Sequence, residues 1–125
     1  MAPAGCGLAE QSPDLFLLKR TGQSRTLTLL IKDDGTVRCD GKAAKPLSDP
    51  QLLAARDLES TLDSDAKKRM RLVPATGSVY SYTVTLPDGT LSFPDTSGAA
   101  HKEFAQTELF TAQVAESLCP SAAGA

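Results

Sequence analysis

The chain has 125 residues, a formal net charge of −2 and three cysteines. That length predicts one domain with one core. The near-neutral balance gives no electrostatic case for a nucleic-acid partner. With aromatic residues at 5% and no Trp, there is no platform for stacking bases or sugars.

At the start, Pro3-Ala4-Gly5-Cys6 reads like the end of a bacterial lipobox, in which small residues precede a cysteine that receives a lipid. A basic and an apolar region normally come before such a site; here only Met1-Ala2 precede Pro3. The alternative is an N-terminus that is merely rich in small residues. Under the lipobox reading, Cys6 is lipidated and residues 1–13 form a lipobox remnant and flexible tether. The protein is then extracytoplasmic, anchored to the bacterial cell membrane. Gly7 to Pro13 is small and polar, which suits a tether.

From Asp14 a single domain is expected to run to residue 119. Asp14–Arg20, with Leu15, Phe16, Leu17 and Leu18, predicts a first strand, and Thr21-Gly22-Gln23 a turn. Ser24–Lys32 alternates Leu27, Leu29 and Ile31 with Thr26, Thr28 and Lys32, a strand period with β-branched residues on one side. Asp33-Asp34-Gly35 predicts a hairpin turn leading to a third strand, Thr36–Asp40.

Ser48 with Gln51 three residues later predicts a capping box, with Pro50 tolerated in the first helical turn. The helix should reach about Leu62, with Leu52, Ala55, Leu58 and Leu62 inward. Beyond it, Asp63–Arg71 is either a helical extension or a solvated loop. Its basic cluster, Lys67-Lys68-Arg69 and Arg71, either contacts anionic lipid or wall polymer or is simply solvated.

Val79–Leu86 predicts a strand, Pro87-Asp88-Gly89 a hairpin loop, and Thr90–Phe93 the returning strand. From about Ala100 to Leu118, residues Phe104, Phe110, Val114 and Leu118 fall on one side of a second helix. The expected order is β-β-β-α-β-β-α. The implied class is α+β: an antiparallel sheet of about five strands with two helices packed on one face. Residues 120–125 form a flexible tail.

No catalytic constellation assembles from these residues. The single histidine, His101, adjoins Lys102 and Glu103 on an expected solvent face. One histidine and dispersed cysteines do not make a zinc site, and no phosphate-binding glycine loop is present. Asp33-Asp34-Gly35 and Asp63-Ser64-Asp65 lack the ligand series of a calcium loop. The reading is a non-enzyme with no metal and no cofactor. If Cys6 takes a lipid, Cys39 and Cys119 remain and can pair; the alternative is two buried thiols.

The stretch Tyr80-Ser-Tyr-Thr-Val-Thr-Leu-Pro-Asp-Gly-Thr-Leu-Ser-Phe-Pro-Asp95, followed by an amphipathic helix, resembles the emfourin family of small metalloprotease inhibitors. The likeness extends as a pattern over residues 14–118. It departs at Thr21-Gly22-Gln23, where that family has a Ser-Gly-Gly-like stretch. The resemblance implies an antiparallel sheet with helices and an inhibitor of extracellular proteases.

Two functions therefore stand side by side. One is a membrane-tethered, non-catalytic, monomeric domain that binds a protein or envelope partner. The other is protease inhibition through a rigid exposed loop. The candidate contact residues for either are Thr21, Gly22 and Gln23, and Pro87, Asp88 and Gly89.

Overall fold

A computed structural model describes residues 14–119. Cys6, the expected tether and the 120–125 tail lie outside the described residues. Within them the order is β1 (Asp14–Gly22), β2 (Arg25–Lys32), β3 (Thr36–Cys39), β4 (Lys45–Pro46), α1 (Asp49–Lys67), β5 (Ser81–Leu86), β6 (Gly89–Pro94), a 3₁₀ turn (Asp95–Ala99) and α2 (Lys102–Leu118). The expected α+β class is present, with the strands in the order β4-β3-β2-β1-β5-β6 and every neighbouring pair antiparallel.

The sheet has six strands, one more than the pattern suggested. The addition is β4, whose two exposed residues, Lys45 and Pro46, pair with Val37 and Thr36. A Lys-Pro pair carries no strand periodicity, and proline suits an edge, where no donor is needed. The hydrogen bond from Leu47 N to Gly35 O, at 2.8 Å, holds the segment in place.

Alternation decides which face is buried. Phe16, Leu18, Leu29, Ile31, Val37, Cys39, Val84, Leu91 and Phe93 point inward and are all buried. The register matches them: Phe16 lies opposite Ile31, Leu18 opposite Leu29 and Val84, and Val84 opposite Leu91. Leu15 is the extra residue of a bulge between Asp14 and Phe16.

Both helices pack on this one face and run antiparallel to each other. Gln51, early in α1, donates to Ser117 Oγ, late in α2, at 3.0 Å. The expected capping box at Ser48 and Gln51 is formed. Ala55, Leu58 and Leu62 are buried, whereas Leu52 is half-buried at the margin. In α2 the buried stripe is Phe104, Thr107, Phe110, Thr111, Val114 and Ala115. The two threonines are tolerated there because each hydroxyl donates to a carbonyl of its own helix, Thr107 to Glu103 and Thr111 to Thr107, both at 2.8 Å.

Between the layers, Phe93 stacks on Phe104 at 4.1 Å and on Tyr82 at 5.2 Å. These contacts join β5, β6 and α2 in one column of rings. The charged stretch after Leu62 resolves into two parts. The helix continues to Lys67, and Arg69 then takes a left-handed φ of 54°. Arg69 N donates to Ala66 O and Met70 N to Asp65 O, a Schellman ending with arginine at the position glycine usually fills. Met70 and Leu72 then bond to Ser92, which covers the outer edge of β6.

The expected pairing of Cys39 with Cys119 is present as a disulfide, with Cα atoms 5.9 Å apart. It fastens the end of α2 to β3. Lys45 Nζ donates to Leu118 O at 2.9 Å beside it.

Candidate functional site

Thr21, Gly22 and Gln23 do not form one turn. Thr21 and Gly22 are the last residues of β1, and Gly22 pairs with Arg25. The turn is therefore the two residues Gln23 and Ser24, with φ of 53° and 62°. Two-residue hairpins favour this left-handed pair because it matches strand twist, but Asn-Gly is the usual choice. Two ordinary side chains here cost about 1–2 kcal/mol each, so the surroundings must hold the tip.

Three contacts do so. Tyr80 Oη donates to Gln23 Oε1 at 3.2 Å. The Arg20 guanidinium lies 4.6 Å from the centre of the Tyr80 ring. Gly22 rests so closely on the Val79–Tyr80 backbone that a Cβ would collide with the Val79 carbonyl.

Asp95 anchors this brace from behind. Its carboxylate accepts from Val79 N, from Tyr80 N at 3.1 Å and from Ser78 Oγ at 3.0 Å. Burial pulls its pKa upward, but the donors from Tyr80, Val79 and Ser78 outweigh that and hold it below the usual carboxylate range.

Tyr82 is 4% exposed. Burial first, and then the nearby charge of Glu108, push its phenol up to about 12. Glu108 itself is half-buried beside Gly98, and its Oε2 accepts no hydrogen bond among the described residues. Burial, reinforced by Asp95, raises it to about 7. Arg20, Tyr80, Tyr82, Asp95 and Glu108 thus form a polar cluster under the Gln23-Ser24 tip.

The second expected contact loop lies elsewhere. Thr21 pairs with Ser81 at the start of β5, while Pro87-Asp88-Gly89 follows the end of that strand. The two loops are therefore at opposite ends of the sheet and cannot make one site. Pro87 and Asp88 are the exposed turn, and Gly89 faces inward. Gly89 sits against the Ala66 carbonyl at the end of α1, where a Cβ would collide.

His101 is not on an open solvent face. It is the residue that caps α2, half-buried, with its ring 4.9 Å from that of Phe104. Because it precedes the helix, its side chain folds back over the first turn. Near it, burial and then the carboxyl of Glu103 raise Asp65 to about 6, while the Asp65 hydrogen bond lowers Glu103. Among the described residues no three His, Cys, Asp or Glu side chains converge as a metal site.

The polar cluster was not legible in the sequence, because its members come from β1, β5, the 3₁₀ turn and α2. The only local signal is Asp95 directly after a strand-ending Pro94. No family model, curated protein or solved structure matches the chain.

Proposed function

We propose that this protein is a non-catalytic binding domain, displayed outside the cytoplasm and tethered to the membrane through Cys6. The observation that carries the reading is the Cys39–Cys119 bridge. Such bridges persist in oxidising compartments and are rare in the cytosol. It also accounts for two of the three cysteines and leaves Cys6 for the lipid. The polar cluster supports a structural use of its groups: Asp95 is occupied by backbone donors, and Tyr82 is buried.

Expression of the full-length gene in a host with lipoprotein processing tests the tether. The chain should partition with membranes, and Cys6→Ser should move it to the soluble fraction. Equal distribution of both forms would refute the tether.

One observation favours protease inhibition as a second reading. The Gln23-Ser24 tip is exposed, left-handed and braced by Tyr80 and Gly22, so it enters a cleft with little ordering cost. Pro87-Asp88 is the other exposed tip. A panel of extracellular proteases, metalloproteases included, tests this directly. Inhibition lost on replacing Gln23 and Ser24 with Gly supports it, and no inhibition of any member rejects it.

A further inference from the structure

The face of the sheet turned away from the helices carries more bases than acids. Its outward residues follow from the register. In one row Arg71, Ser92, Thr83, Lys19 and Thr28 stand side by side; in the next are Thr90, Thr85, Leu17, Leu30 and Arg38. Lys32 projects from the same side of β2. Asp40 continues the first row beyond Thr28, so the two rows carry three bases and one acid, whereas the chain as a whole has more acids than bases.

Two acids lie on or beside these rows, and of the two only Asp14 is paired with a base. Asp14 pairs with Lys32 at 3.1 Å, and Asp40 accepts from Thr28 N at 2.8 Å. Asp33, Asp34 and Asp88 are in hairpin loops at the end of the sheet. Lys19, Arg38 and Arg71 are exposed, and none forms an ion pair among the described residues. With strands about 4.8 Å apart, these three span on the order of 25 Å.

One corner of this face is apolar. Leu15, Leu17, Leu30 and Pro87 line a cleft of about 280 Å³, and Leu17 is 40% exposed. Asp14 lines the same cleft, so the chain enters the described domain there.

We infer that this outer sheet face lies flat on an anionic lipid bilayer. Lys19, Arg38 and Arg71 meet headgroups, the threonine hydroxyls between them donate to phosphate oxygens, and the Leu17 corner dips toward the acyl boundary. The inference deepens the tethered reading: a lipid on Cys6 delivers the domain at the corner where the apolar cleft lies. A broad, net-cationic plane beside the exposed Leu17 fits a bilayer better than a linear polymer, which would need a groove.

The test uses the full chain without its lipid, so its outcome does not depend on Cys6. Co-sedimentation with phosphatidylglycerol vesicles is compared with phosphatidylcholine vesicles over a range of salt. Binding should require the anionic lipid and weaken with salt. Each basic residue near such a surface is worth about fivefold in affinity. The triple variant Lys19→Glu, Arg38→Glu, Arg71→Glu should therefore bind at least about a hundredfold more weakly. Lys67→Glu, Lys68→Glu, Arg69→Glu, at the end of α1, should bind nearly as the parent does. If the first triple fails to fold, the single changes Lys19→Gln and Arg38→Gln should each cost about fivefold.

Equal binding to both lipids, or loss confined to the α1 variant, would overturn the proposal. So would capture by a soluble polyanion such as polyphosphate without vesicle binding, which would assign the face to an anionic polymer. If Cys6 proves unmodified while the vesicle results stand, the tether fails and the face survives.

Discussion

Cys39 and Cys119 meet although they are 80 residues apart in sequence, with their Cα atoms 5.9 Å apart. One partner ends β3 and the other follows the last turn of α2, so the bridge closes a loop from β4 to α2 and leaves β1 and β2 outside it. In the chain-entropy account a loop of this size contributes about 4–5 kcal/mol. That is a large part of a typical net stability of about 5–15 kcal/mol. Reduction, or Cys39→Ser with Cys119→Ser, should lower the denaturant midpoint by a corresponding amount. The slope of the transition should rise, because the unbridged unfolded chain exposes more surface. Unchanged stability on reduction would deny the bridge its structural role.

Gly22 and Gly89 are required by close approach. A Cβ at either would strike a backbone carbonyl, of Val79 or Ala66. Overpacking of this kind costs about 1–3 kcal/mol, so Gly22→Ala and Gly89→Ala should each destabilise by that much. Gly41→Ala is the control, since nothing lies within 4 Å of its Cβ position; its cost should be confined to the left-handed backbone. Thermal melts of the three variants distinguish the two effects.

Phe93 is the centre of the ring column between Tyr82 and Phe104. Truncation removes both stacks and leaves a cavity in the middle of the two layers. Phe93→Ala should cost about 3–5 kcal/mol, and Phe93→Leu clearly less. Equal losses would mean that ring stacking contributes little.

Glu108 makes stability depend on pH. Its folded pKa, about 7, stands above the ordinary 4.5 of an exposed glutamate carboxyl, because of burial and then Asp95. The folded protein thus binds more protons between these limits. The contribution of Glu108 is fully present below about pH 4.5 and is lost as pH rises through about 7. After allowance for solvent screening the effect is about 1–2 kcal/mol. Glu108→Gln should raise stability by that amount at pH 8 and leave it unchanged at pH 4. Asp95 acts in the opposite sense: its lowered pKa gives stability that is lost as pH falls through the folded value. A Glu108→Gln effect independent of pH would contradict this assignment.

Elements with strong local signals are legible in the sequence. The alternation of Leu27, Leu29 and Ile31, the Ser48–Gln51 capping box and the Phe104–Val114 stripe each appear where the periodicity placed them. Boundaries set by packing were less legible. Gly22 looks like a turn glycine, but it is a strand residue held against Val79; Lys45–Pro46 becomes a strand only because β3 offers it an edge. The Tyr80–Asp95–Glu108 cluster was not legible at all. Its members are brought together by the sheet register and the packing of α2, and sequence distance carries no trace of that. The net-basic outer face is intermediate: the alternating residues are visible in the sequence, but their sum over several strands requires the strand order.

The most direct test of the whole account is the mass of the protein recovered from native membranes, digested with and without reduction. The account predicts an acylated N-terminal Cys6 with residues 1–5 removed, and a peptide pair joined through Cys39 and Cys119 that separates only on reduction. An unacylated chain that retains residues 1–5 and carries both thiols free would contradict it.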